Sequence, residues 1–182
     1  ELGDEFLMLR NPKDDLYCLA NGEGLKLKFD TVTLKEQASP SFVSIRQQHH
    51  RFNVTTEILL KDLTAGKKAG LVLIQNNEYH LKAEVSEGKA NVILCENSVD
   101  NVLGSVSVSG ASVTLKLMVK DLNAAVAVVE AGKETIIAEQ IDVRKLSTEV
   151  AGGFVGCCIG MYAVADEVAE GNAVFTKLSY EA

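Results

Sequence analysis

Two polar stretches of the sequence carry side chains that could hold a sugar. They contain Arg46, Gln47, His49, Gln75 and Tyr79. Arginine, glutamine and histidine offer several hydrogen-bond donors, which suit hydroxyl-rich ligands and neighbouring carboxylates. On a sheet, such residues would meet a ligand at a concave face. We therefore predict that both stretches contribute to ligand binding. Between Gln75 and Tyr79, the residues Asn76 and Asn77 fit better as the turn of a hairpin than as ligand-binding residues.

A third candidate is Phe154, which lies between glycines in Gly152-Gly153-Phe154-Val155-Gly156. An aromatic ring on a glycine-rich loop can be presented outward as a platform for a sugar ring or a partner. Most phenylalanines are instead buried in a core. The residues alone favour the buried interpretation of Phe154.

The carboxylates do not form a catalytic pattern. Glycoside hydrolysis needs two carboxyl groups facing one cleft, about 5–10 Å apart. Adjacent acids such as Asp166 and Glu167 face opposite ways on a strand, and Glu139 and Asp142 are also badly spaced. Nucleophile-elbow, phosphate-loop and zinc-protease motifs are missing from the sequence. The sequence therefore predicts no catalytic residue.

The histidines and cysteines do not have the spacing of a metal-binding motif. The histidines are His49, His50 and His80, and the four cysteines are Cys18, Cys95, Cys157 and Cys158. The cysteines lack the paired spacing of a zinc site, and a chain of this size does not need disulfides. We expect buried, reduced thiols and no metal ligands.

Alternation of apolar and polar residues with a period of two dominates the chain and predicts strands with one buried face. It is clearest around residues 25–29, 54–60, 79–85 and 113–119, and turn signals such as Glu87-Gly88 separate these segments. Many short strands at regular spacing indicate an antiparallel sandwich or barrel. Residues 134–146 are ambiguous, and we favour a strand followed by a helical turn at 146–149. No linker divides residues 1–182, so we expect one β-sandwich domain.

Composition excludes several partners. The net charge of -7 disfavours nucleic acid. The longest apolar run, about residues 152–165, is shorter than the roughly 20 residues that a membrane-spanning helix needs. The opening residues carry neither an initiator methionine nor a signal peptide, which indicates an excerpt of a larger protein or a processed product. Cytoplasm and periplasm both stay open, with the thiols favouring a reducing compartment.

Four segments in order carry a family resemblance: residues 6–12, 41–49, 69–80 and 146–154. Together they resemble the C-terminal domain of β-xylosidases in glycoside hydrolase family 43, over nearly the whole chain. The resemblance implies an all-β, concanavalin A-like β-sandwich, or jelly roll, of two curved antiparallel sheets.

In that family the catalytic carboxylates belong to a separate five-bladed propeller domain. The resemblance implies that the sandwich packs on this propeller and that one of its loops helps to close the pocket for a xylo-oligosaccharide or another plant-polysaccharide fragment. Phe154 matches the loop phenylalanine, so the resemblance reverses the buried interpretation of this residue. Arg46, Gln47 and His49 would lie near the domain interface or the concave face.

The chain also departs from the family pattern. Sandwiches of this type often bind a structural calcium ion through a late aspartate, and Thr176 stands at that position. Leu16 replaces a usual tryptophan. We therefore expect no cofactor, with calcium disfavoured by the loss of an oxygen ligand.

Three functions follow as hypotheses. The leading one is a non-catalytic accessory domain of a β-xylosidase or α-arabinofuranosidase. The alternative is a free-standing lectin-like carbohydrate-binding module with Arg46, Gln75 and Tyr79 on its concave face, against which the absence of tryptophan counts. A free-standing hydrolase is the weakest, because the carboxylate pattern is missing.

Overall fold

The computed structural model describes residues 2–11, 13 and 15–182, and Pro12 of the first resembling segment lies outside them. Within these residues nearly all of the regular secondary structure is β-strand, and turns and loops connect the strands. Their bounds are β1 (Tyr17–Ala20), β2 (Gly24–Lys28), β3 (Ser41–Arg46), β4 (Arg51–Leu59), β5 (Lys67–Ile74), β6 (His80–Ser86), β7 (Lys89–Glu96), β8 (Val99–Ser107), β9 (Ser112–Lys120), β10 (Asn123–Glu130), β11 (Lys133–Asp142), β12 (Cys158–Ala165) and β13 (Asn172–Glu181).

The strands form two antiparallel sheets. The first sheet has the order β1-β2-β13-β4-β9-β10-β11, and the second sheet has the order β3-β12-β5-β6-β7-β8. Neighbours in space are often distant in sequence: β12 pairs with both β3 and β5, and β13 pairs with both β2 and β4. The predicted concanavalin A-like β-sandwich is confirmed.

The main core lies between the two sheets. In β4 and β9 every second side chain points inward, as the alternation predicts, so that Val54 and Leu115 are completely buried. From the second sheet, Leu71, Leu81 and Ile159 pack into the same cluster. Burial of this apolar surface is the main favourable contribution to folding.

The outer face of the second sheet is also buried, which the alternation does not predict. Leu34, in the connection between β2 and β3, packs with Phe42, Val72 and Tyr162 in a second, smaller apolar cluster. Under this cover, His80 and Glu84 are buried although they alternate with core residues along β6. The expectation of one buried face per strand is therefore wrong for the centre of this sheet.

The ambiguous segment is a strand followed by short helical turns, as predicted. β11 ends at Asp142, a 3₁₀ turn covers Val143–Leu146, and a one-turn helix, α1, covers Thr148–Ala151. Asp142 accepts a hydrogen bond from the backbone N–H of Arg144 at 3.0 Å and so begins the 3₁₀ turn.

The cysteines are free thiols, but their burial varies. Cys95 and Cys157 are buried as expected, Cys158 is half-buried, and Cys18 is exposed, so the expectation of four buried thiols is wrong for Cys18. Among the described residues, no helix is long and apolar enough to span a bilayer.

Candidate functional site

The glycine-rich loop after α1 presents an aromatic ring to solvent at one end of the sandwich. Phe154 is fully exposed (105%), and Val150 and Val155 beside it are more than half exposed. Gly152 and Gly153 have φ values of 75° and 91°, a conformation that glycine adopts without strain. They turn the chain out of α1 and away from the core. The buried interpretation of Phe154 is therefore wrong, and its exposure agrees with the resemblance.

Gln75 holds this loop in place. Its side-chain Nε2 donates to the carbonyl oxygens of Gly152 at 3.2 Å and Val155 at 2.8 Å, on either side of Phe154. The next residue, Asn76, donates from Nδ2 to the Ala151 carbonyl at 2.8 Å. Gln75, predicted to bind sugar, therefore acts first as a positioning residue for the Phe154 loop.

Asn76 has a second role in the β5–β6 connection. Its Oδ1 accepts hydrogen bonds from the backbone N–H groups of Glu78 and Tyr79, at 3.0 and 2.9 Å. The predicted hairpin around Asn76 and Asn77 is thus correct. The same turn also braces the Phe154 loop, which sequence reasoning missed because the two segments meet only in the folded chain.

An open cleft of about 650 Å³ lies beside this loop. Gln47, His49 and Gln75 line it together with Leu146 and Glu149 from the helical turns. The structure thus brings three of the predicted binding residues into one cavity, next to Phe154. Polar side chains around an apolar floor are typical of a small-ligand or peptide site.

Tyr180 positions the histidine side of the cleft. Its hydroxyl accepts hydrogen bonds from the backbone N–H groups of Gln48 and His49 at 3.3 and 3.2 Å, and it lies 3.2 Å from His49 Nδ1. The Tyr180 ring stacks on Phe52 with a centroid distance of 5.2 Å. Sequence reasoning missed Tyr180, because it lies 131 residues from His49 in the sequence and meets it only in the folded chain.

The carboxylates around the cleft are held by hydrogen bonds. Arg51 donates to both carboxylate oxygens of Asp121 at 2.9 Å, and this hydrogen bonding lowers the pKa of Asp121. Hydrogen bonds from Arg144 likewise lower the pKa of Asp142 to about 2. Hydrogen bonds with its own backbone amide and with Ser147 lower the pKa of Glu149. A carboxylic acid that donates a proton in catalysis needs a raised pKa instead.

Cys157, at the cleft floor, is not set up as a nucleophile. Burial raises the pKa of its thiol to about 12, and Sγ lies 3.4 Å from Gln75 Oε1 and from the Leu146 carbonyl oxygen. Reactive cysteines have lowered pKa values and partial exposure. This thiol therefore helps to hold Gln75 and the helical turn.

Two predicted binding residues lie away from the cleft. Arg46 is exposed at the end of β3 and is paired in register with Cys158, which packs on the outer apolar cluster. Tyr79 is half-buried and packs against the main core. The structure therefore does not bring Arg46 or Tyr79 together with Gln47, His49 and Gln75.

The match to known proteins covers the whole fold. The profile of the family described as "Beta xylosidase C-terminal Concanavalin A-like domain" matches residues 1–181. The chain belongs to this family. Solved structures from glycoside hydrolase family 43 have the same sandwich.

Two curated relatives are similar to the domain and longer than it. A xylosidase/arabinosidase of Butyrivibrio fibrisolvens is 30% identical over 167 residues, which are 89% of this chain and 32% of the relative. A non-reducing end α-L-arabinofuranosidase, BoGH43B, of Bacteroides ovatus is 25% identical over 178 residues, 94% of this chain and 33% of the relative. The chain therefore spans about a third of the length of these relatives.

A solved structure has the same fold. The xylan β-1,4-xylosidase from Bacillus halodurans C-125 matches with a TM-score of 0.90 and 22% identity, over 100% of this chain and 37% of the other. This similarity shows the fold, which the xylosidase carries as about a third of its own, longer chain.

Proposed function

We propose that this chain is a non-catalytic accessory domain of a β-xylosidase or α-arabinofuranosidase. In this proposal, the end with the Phe154 loop docks on a catalytic five-bladed propeller and helps to close its sugar pocket. The observation that carries the proposal is Phe154 itself, which is fully exposed on a loop that Gln75 and Asn76 brace from below. An exposed aromatic side chain in a braced loop is typical of a binding surface.

The size of the relatives supports the same proposal. The curated relatives continue for about two thirds of their length beyond the matched region. Their names state activity on xylose- or arabinose-containing substrates, and this chain would assist such an activity. The hydrogen-bonded carboxylates around the cleft, whose pKa values are lowered, agree with a supporting role, because a glycosidase needs one protonated acid.

The proposed role of Phe154 is apolar contact and exclusion of water at the sugar subsite. Closing an active site removes water and strengthens the polar interactions within it. Val150 and Val155, which are exposed on the same segment, extend this apolar surface toward the partner.

A chimaera tests the proposal. This chain replaces the matched third of the Butyrivibrio xylosidase/arabinosidase, and hydrolysis of chromogenic xylosides and arabinofuranosides is compared with that of the truncated relative. We expect activity to depend on the added chain and to fall with Phe154→Ala. Val168→Ala is the matched control, because Val168 is equally exposed (95%) in the loop at the opposite end of β12. Equal losses in both variants would contradict the proposed role of Phe154.

The alternative function is an independent lectin-like module, which the cleft beside Phe154 favours. Calorimetric titration of the chain alone with xylobiose, xylotriose and arabino-xylo-oligosaccharides distinguishes the two functions. Heat that disappears in Phe154→Ala would support the module, whereas the accessory-domain proposal predicts no heat. Turnover of a chromogenic glycoside by the chain alone would contradict both.

A further inference from the structure

Three chemically different ligand groups meet on the outer face of the second sheet, away from the Phe154 loop. They are the imidazole of His80, the thiol of Cys95 and the carboxylate of Asp100, and one ligand atom from each lies within 4.8 Å of the others. Strand pairing creates this cluster: His80 on β6 is in register with Cys95 on β7, which is in register with Asp100 on β8. Directly paired side chains on one sheet face are nearest neighbours.

The imidazole of His80 is buried without a full set of partners. Only 1% of the residue is exposed, and His80 Nδ1 is the one buried side-chain nitrogen or oxygen without a hydrogen-bond partner among the described residues. Such a group is destabilising unless something binds it. Burial lowers the pKa of His80 to about 4, so the ring is neutral near pH 7 and has a lone pair to donate.

We propose that His80, Cys95 and Asp100 bind one borderline-soft divalent metal ion, of which zinc is the representative. Nitrogen, sulfur and carboxylate oxygen are together the ligands that zinc takes in proteins, with about 2.0–2.3 Å bonds in a tetrahedral arrangement. Calcium and magnesium instead select oxygen ligands. In a tetrahedral site ligand atoms are roughly 3.5 Å apart, and the three present atoms lie within 4.8 Å of one another, so the side chains need to converge by at most about 1.3 Å. The fourth position would belong to a water molecule.

An ion can reach the cluster from solvent. His80 and Asp100 line an open cleft of about 280 Å³, and Asp100 lies at the exposed edge strand. Metal binding would replace one existing contact of Cys95 and one of Asp100 with bonds to the ion. Cys95 Sγ now donates to the Glu78 carbonyl at 3.4 Å, and Lys35 Nζ lies 2.9 Å from Asp100. On binding, the thiol proton would pass to solvent, and the thiolate and carboxylate would face the ion.

The role of the metal would be structural. The three ligands come from consecutive strands, and β8, the last of them, forms an exposed edge of the second sheet. An ion held by β6, β7 and β8 would tie this edge to the sheet. Lys82 lies next to the site, but its charge is offset by the buried carboxylate of Glu84 at 3.3 Å.

Titration of the reduced, metal-stripped chain with cobalt(II) tests the proposal without any variant. Cobalt is a spectroscopic substitute for zinc, and a cysteine ligand gives a thiolate-to-cobalt charge-transfer band in the near ultraviolet. We expect such a band to saturate at one equivalent, to bleach when zinc displaces cobalt, and to accompany a rise in Tm. No band, or stabilisation by calcium but not by zinc or cobalt, would overturn the proposal.

Four variants assign the ligands. Cys95→Ser should abolish the band, whereas Cys18→Ser, at an exposed thiol on the other sheet, should keep it. Asp100→Asn changes an exposed residue and so retains the fold. It should weaken zinc binding at least as much as the roughly 10-fold to 100-fold loss typical of outer-shell partners. Lys35→Ala should tighten binding by freeing Asp100. A band that persists in Cys95→Ser, or unchanged zinc affinity in Asp100→Asn, would refute the site.

Discussion

The side chain of Gln75 spans the loop of Phe154, with one hydrogen bond to the carbonyl of Gly152, two residues before the ring, and one to the carbonyl of Val155, directly after it. Gln75 directly follows β5, a strand that is buried along most of its length. The Gln75 side chain therefore ties the exposed loop directly to the buried strand β5.

Replacing Gln75 by Glu should release the Phe154 loop, because this nearly isosteric change removes the Nε2 donor and keeps the shape. We expect faster amide hydrogen exchange in residues 152–157, faster chymotrypsin cleavage after Phe154, and a loss of about 1 kcal/mol in the free energy of unfolding. Gln48→Glu is the control at an exposed glutamine for which no side-chain hydrogen bond is present in the described chain. Unchanged exchange in Gln75→Glu would show that the loop does not depend on this contact.

Alanine substitutions of one exposed and one buried phenylalanine should affect the free energy of unfolding very differently. Phe154→Ala should change the free energy of unfolding by no more than about 0.5 kcal/mol, because the ring makes little contact with the domain. Phe175→Ala, which empties a position that is 2% exposed, should cost about 3–5 kcal/mol. Urea unfolding of both variants measures the difference. A large loss in Phe154→Ala would mean that the ring packs on the domain in solution.

The ion pair of Asp142 and Arg144 should make the stability of the folded chain depend on pH. Hydrogen bonds from Arg144 lower the pKa of Asp142 to about 2 from its ordinary value of 3.8. A lowered pKa stabilises the folded chain above the ordinary value, and this contribution is lost as the pH falls from about 4 through about 2. Carbon-detected NMR titration should find the low pKa in the wild type and a higher pKa in Arg144→Ala, in which the backbone N–H of residue 144 still donates to Asp142. An unchanged pKa in the variant would remove the proposed cause.

Added calcium should not change the thermal stability of the domain. The hydroxyl of Thr176 donates to the carboxylate of Glu57, at a position where the family resemblance implies a calcium-binding aspartate. A neutral hydroxyl is a poorer calcium ligand than a carboxylate. We expect no change in Tm when calcium is added to the chelator-treated chain. A rise in Tm that disappears in Glu57→Gln would place calcium at this carboxylate after all.

Strands such as β2, β4 and β9 could be predicted because their side chains alternate between a buried and a more exposed face. In β9, for example, four inward residues alternate with polar ones, and one buried face is enough to specify the strand. The local pattern left residues 134–146 ambiguous, although the favoured strand with a following helical turn was predicted correctly. Burial on the outer face of β6 was not predictable, because it depends on Leu34, which reaches that face from a connection without any periodic pattern.

The candidate site was predictable only in part. The polar types of Gln47, His49 and Gln75 indicated a binding role, and the cleft unites them. The exposure of Phe154 came from the resemblance, since glycine flanks are compatible with either environment. The cluster of His80, Cys95 and Asp100 could not be read from spacing, because it exists only through the register of three paired strands.

The central place of β12 has a consequence for how tightly a partner can be held. This strand lies between β3 and β5, is buried along nearly all of its length, and begins directly after the Phe154 loop. Much of the loop's conformational freedom is thus already lost when the sandwich folds. Binding of the ring by a partner would therefore cost little further conformational entropy in this loop. More of the favourable free energy of the contact would then appear as binding affinity.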